Sequence, residues 1–383
     1  MTNTFLTQLD GPRSRQSLLV AGIDSVAELG IDQATASDII ARAKVSRPTF
    51  YSYFDDVPGL MADCWVAGGN KWFDTLLWDH LPDGFEDTNE HKAFVDLLMS
   101  ASRTPELAEI VLPAMAQHWV RLSQCTAAEQ VRYLWVLATR LGVSASEVVF
   151  PEVKTLGKFI SALEFIPSDF VATQDNIDAL RAVEPVVHDP ELADPDQVTS
   201  NLIQAVVRVV SNSGVAKSSM TRVCRAAHVT TGSAKPRFPT MADLMSRGYE
   251  YAVMEVARQN VEQADMVFSG VNPIQAYARF VLSSLHPARK SWRRYRQEMH
   301  LAARINPAIS QQMSDGINRV NQVLMDSLRK SGVDESIVNI SILVNQAQSV
   351  GFSLIDDLGI PVRGIEHAII PSLISVEFFA SLA

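Results

Sequence analysis

Sliding the chain over itself by 184 residues brings it into gap-free register with itself, and this internal repeat restricts the possible folds more than any other feature. Under that shift Leu18, Ala21, Val26, Gly30, Ala43, Val45, Phe54, Leu60 and Met61 fall on Leu202, Ala205, Val210, Gly214, Ala227, Val229, Phe238, Leu244 and Met245. These are apolar helix positions and a glycine that ends the first helix, the residues a diverged duplication keeps. At 383 residues the chain also exceeds what one hydrophobic core organises, so two tandem units are expected. Pro185, Pro190 and Pro195, set among acids between Glu184 and Asp196, break any helix and mark the linker. Gly142-Val143 answers Gly332-Val333 only at a shift of about 190, which implies a short insertion in the second copy.

Apolar residues recur at three and four, as in Leu156, Phe159, Ile160 and Leu163 and in Ile337, Ile340 and Val344, and no convincing alternating strand appears. The expected fold class is all-α, with about nine helices per copy. The organisation is a head over residues 1–60, a helical domain over 61–188, a linker over 189–196, a second head over 197–245 and a second helical domain over 246–383.

The composition, 47% apolar and 20% charged, is that of a folded globular protein. Three cysteines, Cys64, Cys125 and Cys224, lie far apart without a CxxC pair, which fits a reducing compartment. No secretory signal or apolar run long enough for a membrane span is present, so the expected location is cytoplasmic, with no membrane partner. There is no phosphate-cradling glycine loop, HExxH, GxSxG or CxxC, and the eight histidines show no ligand spacing. The expectation is therefore a non-enzyme with no catalytic residues, cofactor or metal.

Residues 15–61 resolve into three short helices. The first, Ser17 to Leu29, is closed by Gly30. Thr35 caps the second, with Asp38 three residues on as a capping-box-like partner. Lys44-Val45 is a tight turn, and Ser46 caps a third helix with Pro48 in its first turn. This is a helix-turn-helix. The stretch TASDIIARAKVSRPTFYSYF, with the acidic turn and Leu-Met pair that follow, closely resembles the DNA-binding domain of tetracycline-repressor (TetR) family regulators.

The resemblance implies that the third helix enters the major groove of double-stranded DNA. Arg47 and Thr49 would face bases or nearby phosphates. Tyr51 and Tyr53 would bond phosphates, and Lys44, Ser46 and the Thr35 helix end would hold the backbone. The structural alternative is that the tyrosines pack inward with Phe50 and Phe54 to seal a three-helix core. Many family members carry a lysine just after the turn that follows Phe54; here Val57 and, in the second copy, Met241 stand there.

The second copy keeps the frame, with Ser219 and Thr230 as caps, but Ala234 and Lys235 replace Phe50 and Tyr51, and Pro236 falls inside the recognition helix, which should kink or end early. Its charge is opposite. Residues 13–61 carry five Lys/Arg and six Asp/Glu, net −1, whereas residues 197–245 carry six Lys/Arg and one acid, net +5. Arg222, Arg225, Lys235 and Arg237, with Thr230, Thr231 and Ser233, form a candidate phosphate clamp. The expectation is that copy one reads sequence and copy two contacts backbone. The rival is a helical adaptor whose heads are degenerate.

By the same resemblance each helical domain would dimerise through its last two helices and hold a small-molecule effector of unknown identity. Those helices would be Glu152–Ile166 and Gln174–Val187 in copy one, and Glu335–Ile355 and Gly364–Leu382 in copy two. The tethered copies would form an intramolecular pseudo-dimer, with a further homodimer left open. Pocket candidates are Met115, His118, Trp119 and Trp135, and Trp292, Tyr295, Met299 and His300. The basic run Arg289 to Arg296 is read as a solvated face, with a contact to the other copy or to an anionic ligand as alternatives.

Overall fold

The structure, a computed structural model, describes residues 5–6, 12–78, 80–82, 84–164, 178, 196–269, 273–330 and 335–362. Among these the chain is helical and no strand occurs. Two compact units emerge: Met1–Gln124 with Asp357–Ile360, and Cys125–Asp356 with Pro361–Ala383. This division by packing falls at residue 124 and not at the expected linker, of which only Asp196 is described.

In the first unit α1 (Arg13–Leu29), α2 (Ala36–Ala43) and α3 (Arg47–Tyr53) form a small three-helix head. Its core is Leu18, Leu19, Ile23, Val26, Ile39, Phe50 and Phe54, joined by Leu60 and Met61 of α4 (Val57–Cys64). Gly22 lets α4 approach, because a Cβ there would strike the Leu60 side chain. A π-helical turn, Trp65–Gly69, continues α4 into α5 (Asn70–Trp78). Two further helices, α6 (Asn89–Ala101) and α7 (Pro105–Leu122), complete the unit, α6 lying on α1 and α7 on α4. Trp65, Trp72 and Phe94 make its aromatic centre, with Trp65 edge-on to Phe94 at 6.0 Å between centroids.

The second unit begins with α8 (Ala127–Ser146), which opens on a complete capping box between Thr126 and Glu129, and α9 (Gly157–Glu164). A second three-helix head follows: α10 (Gln197–Ser213), α11 (Met220–Ala226) and α12 (Thr231–Ala234). Then come α13 (Met241–Phe268), α14 (Pro273–Ser284), α15 (Lys290–Ile305), α16 (Pro307–Lys330) and α17 (Glu335–Asp357). α15 lies on α10 as α6 lies on α1, and α13 packs along α16.

The two heads share caps and turns at the 184-residue offset. Gly30 and Gly214 end α1 and α10 at φ 75° and 76°, each donating its N–H to the carbonyl four residues back. Lys44 and His228, also 184 apart, are the non-glycine residues with positive φ among the described residues, at 53° and 57°. The packing compensates where the sequences differ. Gly22 faces Leu60 and Cys64 in the first head, whereas Val206, at the position of Gly22, faces Gly248, at the position of Cys64.

α8 and α17 cross within the second unit through reciprocal small residues. A Cβ on Gly142 would strike the Ala347 carbonyl, and one on Gly351 the Ala138 carbonyl. Thr139 Oγ1 accepts from Gln348 Nε2 at 3.3 Å between those contacts, and both side chains are fully buried. The Glu335 helix thus crosses α8, and the expected helix Glu152–Ile166 is not continuous: Pro151–Leu156 is a 3₁₀ turn that leads into α9. Gly332-Val333, Gln174–Val187 apart from Asp178, and Gly364–Leu382 lie outside the described residues.

Candidate nucleic-acid interface

The presentation of α3 follows from three local devices. Thr35 Oγ1 accepts the N–H of Asp38 and Ser46 Oγ that of Thr49, each at 3.2 Å, so both helices start on satisfied donors. Between them Lys44 takes the left-handed conformation and the Val45 N–H reaches back to the Ile40 carbonyl at 3.3 Å, turning the chain within two residues. Phe50 and Phe54 then point into the head, tilted on each other at 5.9 Å.

With those two buried, the opposite face of α3 is left to solvent. Tyr51 and Tyr53 are 47% and 38% exposed, so the alternative in which they seal the core does not describe this head. Arg47 and Lys44 are exposed, and the Arg47 guanidinium lies 5.7 Å from the Tyr51 ring centre. Thr35 and Ser46 are exposed caps, and Thr49 is half-buried with its hydroxyl 2.7 Å from Ser46 Oγ. The structure thus leaves Lys44, Arg47, Tyr51 and Tyr53 exposed on and beside α3, with Arg47 against Tyr51.

Asp38 does not complete a capping box. Its carboxylate accepts from Ser25 Oγ at 2.6 Å and Arg42 Nε at 2.7 Å, and the Ser25 hydrogen bond chiefly holds its pKa below the usual carboxylate range. Arg42 also reaches Glu28 at 2.8 Å, so its charge is spent on joining α2 to α1. The pair Arg103–Asp32, at 2.9 Å and largely shielded from water, ties the α1–α2 loop to the turn between α6 and α7. Sequence reasoning missed all three pairs, of which only Asp38–Arg42 has a local spacing.

The second head has the same caps, Ser219 to the Arg222 N–H and Thr230 to the Ser233 N–H. Its recognition helix stops at Ala234, two residues before Pro236. Ala234 is buried where Phe50 stands in the first head, and Phe238 fills the place of Phe54. Thr231, Arg225 and Lys235 are exposed and Ser233 is half-buried. Arg237 is bound to Asp196 and to the Ser233 carbonyl, and Arg222 bonds the Lys217 carbonyl at 2.5 Å. Those two arginines of the expected clamp therefore already have partners in the chain.

Residues 18–62 match the family model described as bacterial regulatory proteins, tetR family. The first head is similar to the TetR-type domain. No curated protein matches the chain. The matched segment runs from Leu18 of α1 to Ala62 of α4, so the TetR-type domain takes in all of α2 and α3 and the hydrophobic residues that seat them.

The expected pocket residues separate. Met115 and His118 are buried in the first unit, where His118 stacks against Phe73 at 4.7 Å and lies 3.3 Å from Asp74; burial is the main reason its pKa is lowered. Trp119 is half-buried on the same helix. Trp135 lies on the α8–α17 crossing, edge-on to Phe352 at 5.9 Å. Trp292 lines a cavity in the second unit, whereas Tyr295, Met299 and His300 are buried on α15 without lining it. The basic run beside them is not a solvated face: Arg289, Arg293 and Arg296 are buried.

Among the described residues no helix is long and apolar enough to cross a membrane, and no group of His, Cys, Asp or Glu is arranged to hold a metal ion.

Proposed function

We propose that the chain is a ligand-responsive transcriptional repressor built from two TetR-like units in tandem, acting in the cytoplasm and without an enzymatic step. The observation that carries it is the outward α3 surface of Arg47, Tyr51 and Tyr53 over a core closed by Phe50 and Phe54. Hydroxyls and cations at such positions suit phosphate oxygens, and Arg47 is long enough to meet a base edge. Tandem duplication is supported by the shared cap and turn geometry of the heads at one offset. A pseudo-dimer is supported by the reciprocal Gly142–Ala347 and Gly351–Ala138 contacts, the relation an isologous interface requires.

In this reading the first head reads sequence and the second holds the DNA backbone through its surplus positive charge. A specific observation favours a lesser role for the second head: its recognition helix is one turn long, and Arg237 is engaged by Asp196. An adaptor with two inactive heads is the second reading.

Gel retention with fragmented genomic DNA distinguishes them. The repressor reading expects a discrete retained fragment, lost by tenfold or more in affinity in Arg47→Ala/Tyr51→Ala, about the sum of one base and one phosphate contact. Both side chains are exposed, so the double variant should keep its thermal midpoint. An adaptor would retain no fragment selectively.

A further inference from the structure

A cavity of about 40 Å³, open to solvent on one side, lies in the second unit among α13, α14, α15 and α17. Its wall is charged, and the charges do not balance locally. Glu255 binds Arg289 and Arg258, the latter at 2.6 Å, and Asp356 binds Arg293 at 2.9 Å. Arg296, 6% exposed, is left over. Its Nη2 donates to Ser349 Oγ at 3.0 Å, its Nε has no partner, and no carboxylate among the described residues lies within ion-pair reach of it. A buried guanidinium without a counter-charge is costly, and folded chains pair or remove it unless it serves another purpose.

The rest of the wall says what would complete it. Ser349 and Ser353 on α17 spend their hydroxyl protons on the Gln346 and Ser349 carbonyls, which leaves the Arg296 guanidinium as the donor an anion would meet, and Trp292 provides a broad apolar face, with Ala252 beside it. One surplus positive charge calls for one negative charge, and the indole calls for a flat apolar body. Both attach to the second head: α15 carries Arg296 and lies on α10, and its Tyr295 donates to the Met245 carbonyl, at 2.5 Å, where α13 leaves the head.

We propose that this cavity binds a small singly charged aromatic acid, its carboxylate on Arg296 and its ring against Trp292, and that this acid is the effector. The second part rests on the repressor reading above; the first does not.

Isothermal calorimetry on the full chain tests it with 1-naphthylacetate, its uncharged analogue 1-naphthylacetamide, benzoate and inorganic phosphate as probes. The expected result is that at least one of the two carboxylates binds, that naphthylacetamide binds tenfold or more weaker than naphthylacetate, and that Arg296→Met loses a similar factor, about that of a charge-assisted hydrogen bond. Because methionine removes an unbalanced buried charge, Arg296→Met without ligand should melt no lower than the parent. Equal binding of acid and amide, preference for phosphate, no carboxylate binding up to about 5 mM, the weak limit of a specific site, or a lower melting point in Arg296→Met would each overturn the site. Retention of a selected DNA fragment that is altered by the bound acid in the parent and not in Arg296→Met is expected of an effector. Acid binding that depends on Arg296 in a chain that retains no DNA would leave the site standing and sink the repressor reading.

Discussion

Lys44 makes the turn of the first head in a conformation that glycine adopts without strain and an L side chain enters at a cost of about 1–2 kcal/mol. Its retention there is understandable if the ammonium meets a phosphate. Lys44→Gly should then raise stability by about 0.5–1 kcal/mol in urea titration, while DNA affinity falls and the logarithmic salt slope shrinks by about 0.9, the share of one phosphate. A stability loss would refute this account of the turn. His300 gives a second residue-scale test. Burial, the largest cause, with Arg296 second, depresses its pKa to about 3. The unfolded chain binds this proton near pH 6.5 and the folded one does not, so the stabilisation is complete above 6.5 and is lost progressively down to about pH 3. Thermal midpoints should fall between pH 7 and 4, less steeply in His300→Gln; equal slopes would show that other groups set the acid limit. At this scale the caps Thr35, Ser46, Ser219 and Thr230 were legible because each serves a donor three residues away. Arg296 was not, because a basic run looks alike whether it faces water or a cavity.

Among elements, α1 begins at Arg13, a turn before the expected Ser17, but was legible at its end, because a terminal glycine is a local signal. The truncation of α12 before Pro236 was legible for the same reason. The pairing of α8 with α17 was not. It depends on which small residues meet across more than two hundred positions of chain, and Gly142 has more than one sequence match in the second copy. The crossing is demanding: a methyl group at Gly142 or Gly351 would press on a backbone carbonyl, which cannot rotate away as a side chain would. Gly351→Ala should destabilise the chain by about 1–3 kcal/mol, the cost of overpacking, and Gly142→Ala should cost as much. Adding the second to the first should cost less than the sum, because both act by separating the same two helices. Additive losses by chemical denaturation would mean that the two glycines are energetically separate.

For the whole molecule, the reading of one chain as two subunits makes a statement about stoichiometry. Under the proposed tandem reading, one chain of 42.2 kDa carries both heads. Sedimentation of the chain with its retained DNA fragment should give one chain per duplex, and two chains per duplex as the smallest complex would refute the pseudo-dimer.

The α8–α17 crossing carries a further consequence in its asymmetry. Trp135 rests on Phe352, while the positions related to them by the Gly142–Gly351 spacing hold Val344 and Val143. In a homodimer every change is made twice, so an indole on one flank would force an indole on the other. Under the proposed pseudo-dimer reading, the covalently joined pair is released from that doubling, and its two flanks, like its two heads, are free to inherit separate histories.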